Sequence, residues 1–258
     1  MPYATNGGVR IYYETVGNGP PLVLHVGFIQ ALQDWQEFGY VDALRDDYHL
    51  ILLDPRGQGA SDKPHDPAAY AYEKRVADIV AVLDAVGVAT AHYWGYSMGG
   101  RMGFATAQYA PHRLRSVVIG GDGATTPDKE AYLQWAERLR TGGPEDLVAG
   151  WERAIDPLPA SLRSRLLASD VEALAANRIH GSTAPNLQEG LSRIALPTFV
   201  YCGERDELYT AAQAAAARVP RATFLTLSDM THFQGLTNSD AILPHVRTFL
   251  ADVDRSTL

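Results

Sequence analysis

Residues 91–104 read AHYWGYSMGGRMGF. Ala91–Gly95 is apolar enough for a buried strand, and a helix is expected from about Met98 to Tyr109. Between them Gly95-Tyr96-Ser97-Met98-Gly99 fits G-x-S-x-G, a nucleophile elbow that sets a serine on a sharp strand-to-helix turn. A serine held there adopts a strained backbone, so the positions two before and two after it must lack bulky side chains. Gly95 and Gly99 meet that demand. The first amides of the helix point at the turn, where they can stabilise developing negative charge, and Met98 N–H is one such donor.

The same alternation continues outward in both directions. Val9–Val16, Leu22–Val26 and His49–Leu53 have the β-branched, aromatic or continuously apolar character of strands, as do Ser116–Gly120, Thr198–Cys202 and Ala222–Leu227. Helices are expected at about 33–45, 72–86, 210–218 and 240–253; in the second, Val76, Ile79, Val80, Leu83 and Val86 recur at helical spacing and Gly87 stops the run. Strand and helix in this rhythm imply a mostly parallel sheet with right-handed crossovers and helices on both faces. The rhythm breaks at residues 123–195, where amphipathic stretches near 128–140, 144–155, 158–167 and 171–179 have no strand between them. We read this segment as a helical cap inserted late in an α/β core made of residues 1–122 and 196–258.

At 258 residues, 46% hydrophobic and 20% charged, the chain has the makings of an ordinary globular fold with a sizeable core. A formal net charge of -8 discourages nucleic acid and anionic membrane as partners, leaving a small molecule as the expected one. The N-terminal residues lack the pattern of a secretory signal and no apolar stretch is long enough to span a bilayer, so a cytoplasmic location is expected. Cys202 is the only cysteine, which excludes an internal disulfide and a cysteine cluster. The glycines at 95, 99 and 100 do not match the dinucleotide fingerprint and the histidines show no ligand spacing, so no cofactor or metal is expected. Oligomeric state is not readable from these features.

The elbow, the strand before it and the helix after it resemble the α/β-hydrolase family, and the likeness extends over nearly the whole chain. Asp54-Pro55-Arg56-Gly57-Gln58-Gly59-Ala60-Ser61-Asp62 is similar to the family's D-x-R-G-x-G-x-S-D loop, in which Arg56 can tie carbonyls and carboxylates together. The resemblance implies the α/β-hydrolase fold and a chain order of Ser, then Asp or Glu, then His. Chemistry asks for the same set: a serine hydroxyl needs a base, and the base needs an acceptor to fix its tautomer. Ser97 is the expected nucleophile and His232, in the loop after the last strand, the expected base; His245 falls inside the final helix. Asp206, just past a strand, is the preferred acid, with Asp122 as the rival. The oxyanion donors are expected to be the N–H groups of Met98 and of Phe28, in the loop after Leu22–Val26. Where many relatives carry His-Gly, this chain has Val26-Gly27, and His25 one residue earlier reads as a core histidine.

Phe28, Trp35, Tyr96, Tyr132, Trp135, Trp151 and Phe233 are candidate pocket residues and favour an apolar acyl or alcohol group, while Arg101 reads as a surface helix position. The implied activity is cofactor-independent cleavage of a carboxylic ester or lactone through an acyl-enzyme. Alternatives within the same resemblance are carbon–carbon bond hydrolysis and perhydrolysis; one of another class is a ligand receptor that retains the triad. Ser97 stands where haloalkane dehalogenases and epoxide hydrolases carry an aspartate, which argues against both of those activities.

Overall fold

In the computed structural model, residues 2–125, 128–153 and 158–256 are described. Eight strands form one sheet: β1 Tyr3–Asn6, β2 Val9–Val16, β3 Pro21–His25, β4 His49–Leu53, β5 Ala91–Tyr96, β6 Leu114–Gly120, β7 Thr198–Gly203 and β8 Ala222–Leu227, in the order β1-β2-β4-β3-β5-β6-β7-β8. β1 and β2 are antiparallel to their neighbours and every other pairing is parallel. This is the α/β-hydrolase fold. β1 is an addition to the strands expected from sequence; it pairs with β2 through a turn at Gly7 and Gly8, whose φ values of 57° and 82° suit residues without a Cβ.

Helices α1 Gln33–Glu37, α2 Tyr40–Leu44, α3 Tyr72–Val86 and α4 Met98–Tyr109 are followed by α5 Lys129–Glu152, α6 Ala160–Leu167 and α7 Val171–Gly181. Then come α8 Tyr209–Arg218, α9 Gln234–Thr237 and α10 Ser239–Arg255. The single helix expected at 33–45 is two, because Gly39 turns left-handed at φ 83° between them. The stretches expected near 128–140 and 144–155 merge into α5, interrupted at Gly143 with φ 64°; residues 154–155 of that expectation lie outside the described residues. Asp128 and Asp170 accept from Ala131 N–H and Ala173 N–H, capping α5 and α7 where orphan amides need acceptors.

The apolar stripes sort the helices onto the two faces. Val76, Ile79, Val82 and Leu83 of α3, Met102 and Ala105 of α4, and Ala212, Ala215 and Ala216 of α8 pack with the inward residues of one sheet face. Leu44 of α2 and Ile242, Val246 and Leu250 of α10 cover the other. Each fully buried aliphatic side chain contributes roughly 1.5–3 kcal/mol, so these stripes dominate the stability of the layers. Residues 187–193 form a 3-10 helix whose Leu187 and Leu191 join the α3 and α4 side of the core. α5, α6 and α7 instead pack on one another and on Phe28, Ile29, Phe38, Met98 and Phe233. No helix among the described residues is long and apolar enough to cross a membrane.

Strand order places the site. The chain goes from β3 out to β4 and returns to β5 on the other side of β3, a switch point at which the loops leaving the carboxyl ends of β3 and β5 diverge. Register aligns His25 with Gly95 and Gly203 with Leu227, so the loops after β3, β5, β7 and β8 all emerge along one edge.

Candidate active site

Ser97 follows the last residue of β5 with φ 54° and ψ -114°, a conformation rare for a residue with a side chain. It persists because the packing around it over-determines the turn. A Cβ at Gly95 would collide with Gly99 O, and one at Gly99 with His25 O, so the turn closes only with glycine at both places. Ser97 N–H donates to Gly120 O at 2.7 Å, tying the turn to the end of β6.

His232 Nε2 lies 3.0 Å from Ser97 Oγ, and its Nδ1 lies 2.6 Å from Asp206 Oδ2. An ionised carboxylate can only accept, so Nδ1–H donates to Asp206 and Nε2 is left to accept from the serine hydroxyl. Asp206 is enclosed, and burial opposes its ionisation; the hydrogen bond and charge of His232 outweigh that, helped by Leu208 N–H at 2.9 Å, and hold its pKa below the ordinary value. Tyr96 Oη donates to His232 O, and the two rings lie 5.2 Å apart, so Tyr96 props the histidine loop. His245 lies within α10.

Asp122 faces elsewhere. Arg101 donates to its Oδ2 from Nε and Nη2, both at 3.1 Å, and Ala124 N–H donates to its Oδ1 at 2.7 Å. The structure therefore brings Asp206, and not the rival Asp122, to His232. Arg101 corrects the sequence expectation of a surface position: its side chain is only 12% exposed and Nη1 also donates to Thr125 O. Sequence periodicity could not show this, because the carboxylate that draws Arg101 inward lies on the next strand's loop.

The loop after β3 is held from both sides. Gly27 N–H donates to Gln30 Oε1 at 2.6 Å and Ile29 N–H to Gln58 Oε1 at 2.9 Å, while Phe28 N–H between them has no acceptor among the described residues. Gln58 Nε2 returns bonds to Gly27 O and Gln30 O, so the D-x-R-G-x-G loop fixes the loop that carries Phe28. Ile29 takes φ 67°, an outlier for a β-branched residue. Met98 N–H, at the first position of α4, has no carbonyl four residues back within the helix. His25 is buried and bonds Val26 O through Nδ1, and burial pushes its pKa down to about 3. Arg56 holds Asp78 with Nε and Nη2 at 2.6 and 2.5 Å and Ala69 O with Nη1, the tying role expected of it.

A cavity of about 700 Å³ opens over Ser97 and His232, with Phe28, Tyr96, Tyr132, Trp135, Trp151 and Phe233 among its lining residues. Trp151 and Phe233 meet edge to face at 4.8 Å. Trp35 is not part of it. That ring is 1% exposed and packs edge to face against Tyr40 and Trp94 on the far side of the sheet's inner layer, because α1 turns its aromatic face to the core. The cavity also holds residues that sequence reasoning missed: Arg75, Asn177, Arg178 and His180. Nothing in their spacing marks them: Arg178 and His180, in the last turn of α7, read as ordinary complements to the helix dipole, and Arg75 and Asn177 belong to no motif in α3 or α7. Among the described residues, no group of three or more His, Cys, Asp or Glu side chains is placed to hold a metal.

With this geometry in view, residues 20–146 match the model of the alpha/beta hydrolase fold family. A pimeloyl-(acyl-carrier protein) methyl ester esterase of Xanthomonas oryzae pv. oryzae is 30% identical over 94% of this chain and 100% of that protein. The chain belongs to the α/β-hydrolase family. It is also similar to 3-oxoadipate enol-lactonase 2 of Acinetobacter baylyi, 25% identical over 79% of each chain. Among solved structures, the enol-lactonase from Burkholderia xenovorans LB400 superposes with a TM-score of 0.87 at 26% identity, covering 97% of this chain and 100% of that one. Membership and relatives together support a hydrolase activity.

Proposed function

We propose that this protein is a cofactor-independent serine hydrolase that cleaves a carboxylic ester or lactone through an acyl-enzyme. The observation that carries the proposal is the continuous chain from Ser97 Oγ through His232 to Asp206, at 3.0 and 2.6 Å, opening into a cavity. Relatives named as a methyl ester esterase and an enol-lactonase are consistent with that bond type.

In this mechanism Ser97 Oγ attacks the acyl carbon while His232 Nε2 takes its proton. The N–H groups of Phe28 and Met98 receive the oxyanion, being amides without acceptors among the described residues. Asp206 keeps Nδ1 protonated and stabilises the imidazolium. His232 then protonates the leaving alcohol, or the lactone's own alkoxide, and the acyl-enzyme remains. Deprotonation of a water by the same nitrogen releases the acid and restores the hydroxyl. Helices α5, α6 and α7 act as the cap, and their aromatic side chains receive the hydrocarbon part of the substrate.

The test is multiple-turnover hydrolysis of a panel of short and medium acyl esters and lactones by wild type and Ser97→Ala, with mass-spectrometric detection of a phosphonate adduct on Ser97. Turnover and labelling that both vanish in the variant support the proposal. Equal turnover by the two proteins would overturn it.

A further inference from the structure

The cation inventory of the cavity does not balance within the protein. In its wall Arg101 takes Asp122 and Arg205 reaches Asp229, while Arg56, outside the wall, takes both oxygens of Asp78. Arg75 and Arg178, both in the cavity wall, form no ion pair with any carboxylate among the described residues. Arg75 Nη2, Arg178 Nε and His180 Nε2 are buried without hydrogen-bond partners. Leaving such groups unmatched is costly, more so when they are charged, and each one in a native protein asks for an explanation.

Arg178 is the most constrained of them. Phe28 and Trp135 meet edge to face at 5.4 Å, and the guanidinium carbon sits in that corner, 3.6 Å from each ring centroid, with Tyr132 a third ring at 4.9 Å. Aromatic faces attract the cation but offer no in-plane acceptors, so beyond the Tyr132 hydroxyl within its reach the fork of N–H groups stays available. Protein surrounds the group and pushes its pKa down to about 9, with Arg101 and Arg75 adding repulsion that Tyr132 opposes; it is still charged at neutral pH. Yet Arg178 keeps part of its surface accessible, and it does so while lining the cavity. Its position relative to the chemistry is set by Phe28, whose N–H is the oxyanion donor proposed above and whose ring carries the guanidinium. The preceding residue, Asn177, touches Met98 Sδ from Nδ2 at 3.4 Å.

We propose that Arg178, assisted by the charge of Arg75, binds a free carboxylate of the substrate, so that the preferred substrate is an ester or lactone carrying one such group, such as a dicarboxylic half-ester. A planar guanidinium fork matches a carboxylate in a way that a lysine does not. The aromatic lining receives the carbon chain between the carboxylate and the scissile bond. This specificity rests on the serine-hydrolase reading and replaces the apolar-substrate expectation with an anionic one.

The experiment compares p-nitrophenyl half-esters of glutaric and adipic acid with p-nitrophenyl pentanoate and hexanoate, and a charged with a neutral pair in which the carboxylate is on the alcohol side, acetoxyacetate and its methyl ester. Wild type, Arg178→Met, Arg178→Lys and Ser97→Ala are assayed, each checked for folding by circular dichroism. The expected result is a wild-type preference of at least about tenfold in kcat/KM for the charged member of one pair. Arg178→Met lowers that ratio by about ten- to a hundredfold, chiefly through KM, and Arg178→Lys recovers part of it. Calorimetric binding of glutarate and adipate dianions to Ser97→Ala should weaken at least about tenfold when Arg178→Met is added. Equal kcat/KM for charged and neutral members of every pair, or dianion binding indifferent to Arg178, overturns the proposal while Ser97-dependent turnover leaves the serine-hydrolase reading standing. Turnover that survives Ser97→Ala overturns that reading instead, and the dianion titration then decides the anion site by itself.

Discussion

Ser97, His232 and Asp206 are joined by hydrogen bonds of 3.0 and 2.6 Å; Ser116, His92 and Asp254 are joined by bonds of 2.7 and 3.1 Å. By residue type and distance the two sets are alike. Their surroundings differ in every respect that chemistry needs. Ser97 stands off a strand end at φ 54°, beside the orphan amides of α4, with His232 side-chain exposure of 31% into a cavity. Ser116 lies inside β6 and is fully enclosed, as is His92, which is 0% exposed. In the first set the acid is the buried member; in the second the acid is the accessible one, and Arg115 shares it at 2.6 Å. Hydrogen-bond connectivity therefore does not make a nucleophile. The proposal of Ser97 as nucleophile rests instead on access, backbone strain and unclaimed donors, and the His92 set anchors the end of α10 to β5 and β6.

The largest effect expected to separate the two sets is catalytic. Ser97→Ala should lower kcat for an accepted ester by at least about 10⁴-fold, and Asp206→Asn by about 10³–10⁴-fold, since the asparagine would favour the wrong tautomer of His232. Ser116→Ala should stay within about threefold in kcat/KM, being remote from the chemistry. A comparable loss in Ser116→Ala would erase the distinction.

Stability should respond in the opposite sense. His92→Ala removes a fully buried ring and strands the Ser116 hydroxyl, at about 2–4 kcal/mol, or a Tm lower by roughly 5–10 °C in a chain of this size. Thermal unfolding checks this, and Ser97→Ala should melt within about 2 °C of wild type or above it, because it relieves nothing but a hydroxyl at a strained turn.

Acid should sharpen the contrast further. Burial lowers the pKa of His92, against the pull of Asp254, and burial together with Arg75 takes His25 down to about 3. The unfolded chain protonates both near 6.5, so it binds more protons than the folded chain below that pH, and folding stability must fall as the solution is acidified. The slope is up to about 1.4 kcal/mol per pH unit for each such histidine, and the His25 share stops growing below about 3. Urea unfolding at several pH values between 7 and 4 should show this decline, and His92→Asn should flatten it; a stability that rises on acidification would contradict the burial of both rings. The smallest effect is that of Ser116→Ala on stability, about 1–2 kcal/mol for an unmatched His92 Nδ1.

Much of the architecture was legible from local rules. The elbow glycines, the strand and helix alternation and the helix-rich stretch after β6 follow from backbone sterics and hydrophobic period, which a short window contains. β1 escaped because four residues beside a glycine turn carry too little pattern, and the break at Gly39 because a single glycine is tolerated in many helical patterns. Ser97, His232 and Asp206 were reachable from motif and chain order. Arg75 and Arg178 were not, and Trp35 was assigned to the wrong environment, because helix position alone does not say which neighbour each side chain meets.

By itself, then, the sequence determined where backbone must turn, which faces must be buried and which residue types the chemistry requires, since those depend on atoms close along the chain. Only the tertiary structure decided that Asp206 rather than Asp122 reaches His232, that Arg101 is spent on Asp122, and that Arg178 lines the cavity with no carboxylate paired to it among the described residues. Those outcomes depend on sheet register and helix docking, which bring together groups separated by 21 to 135 residues and leave local pattern no means of choosing among them.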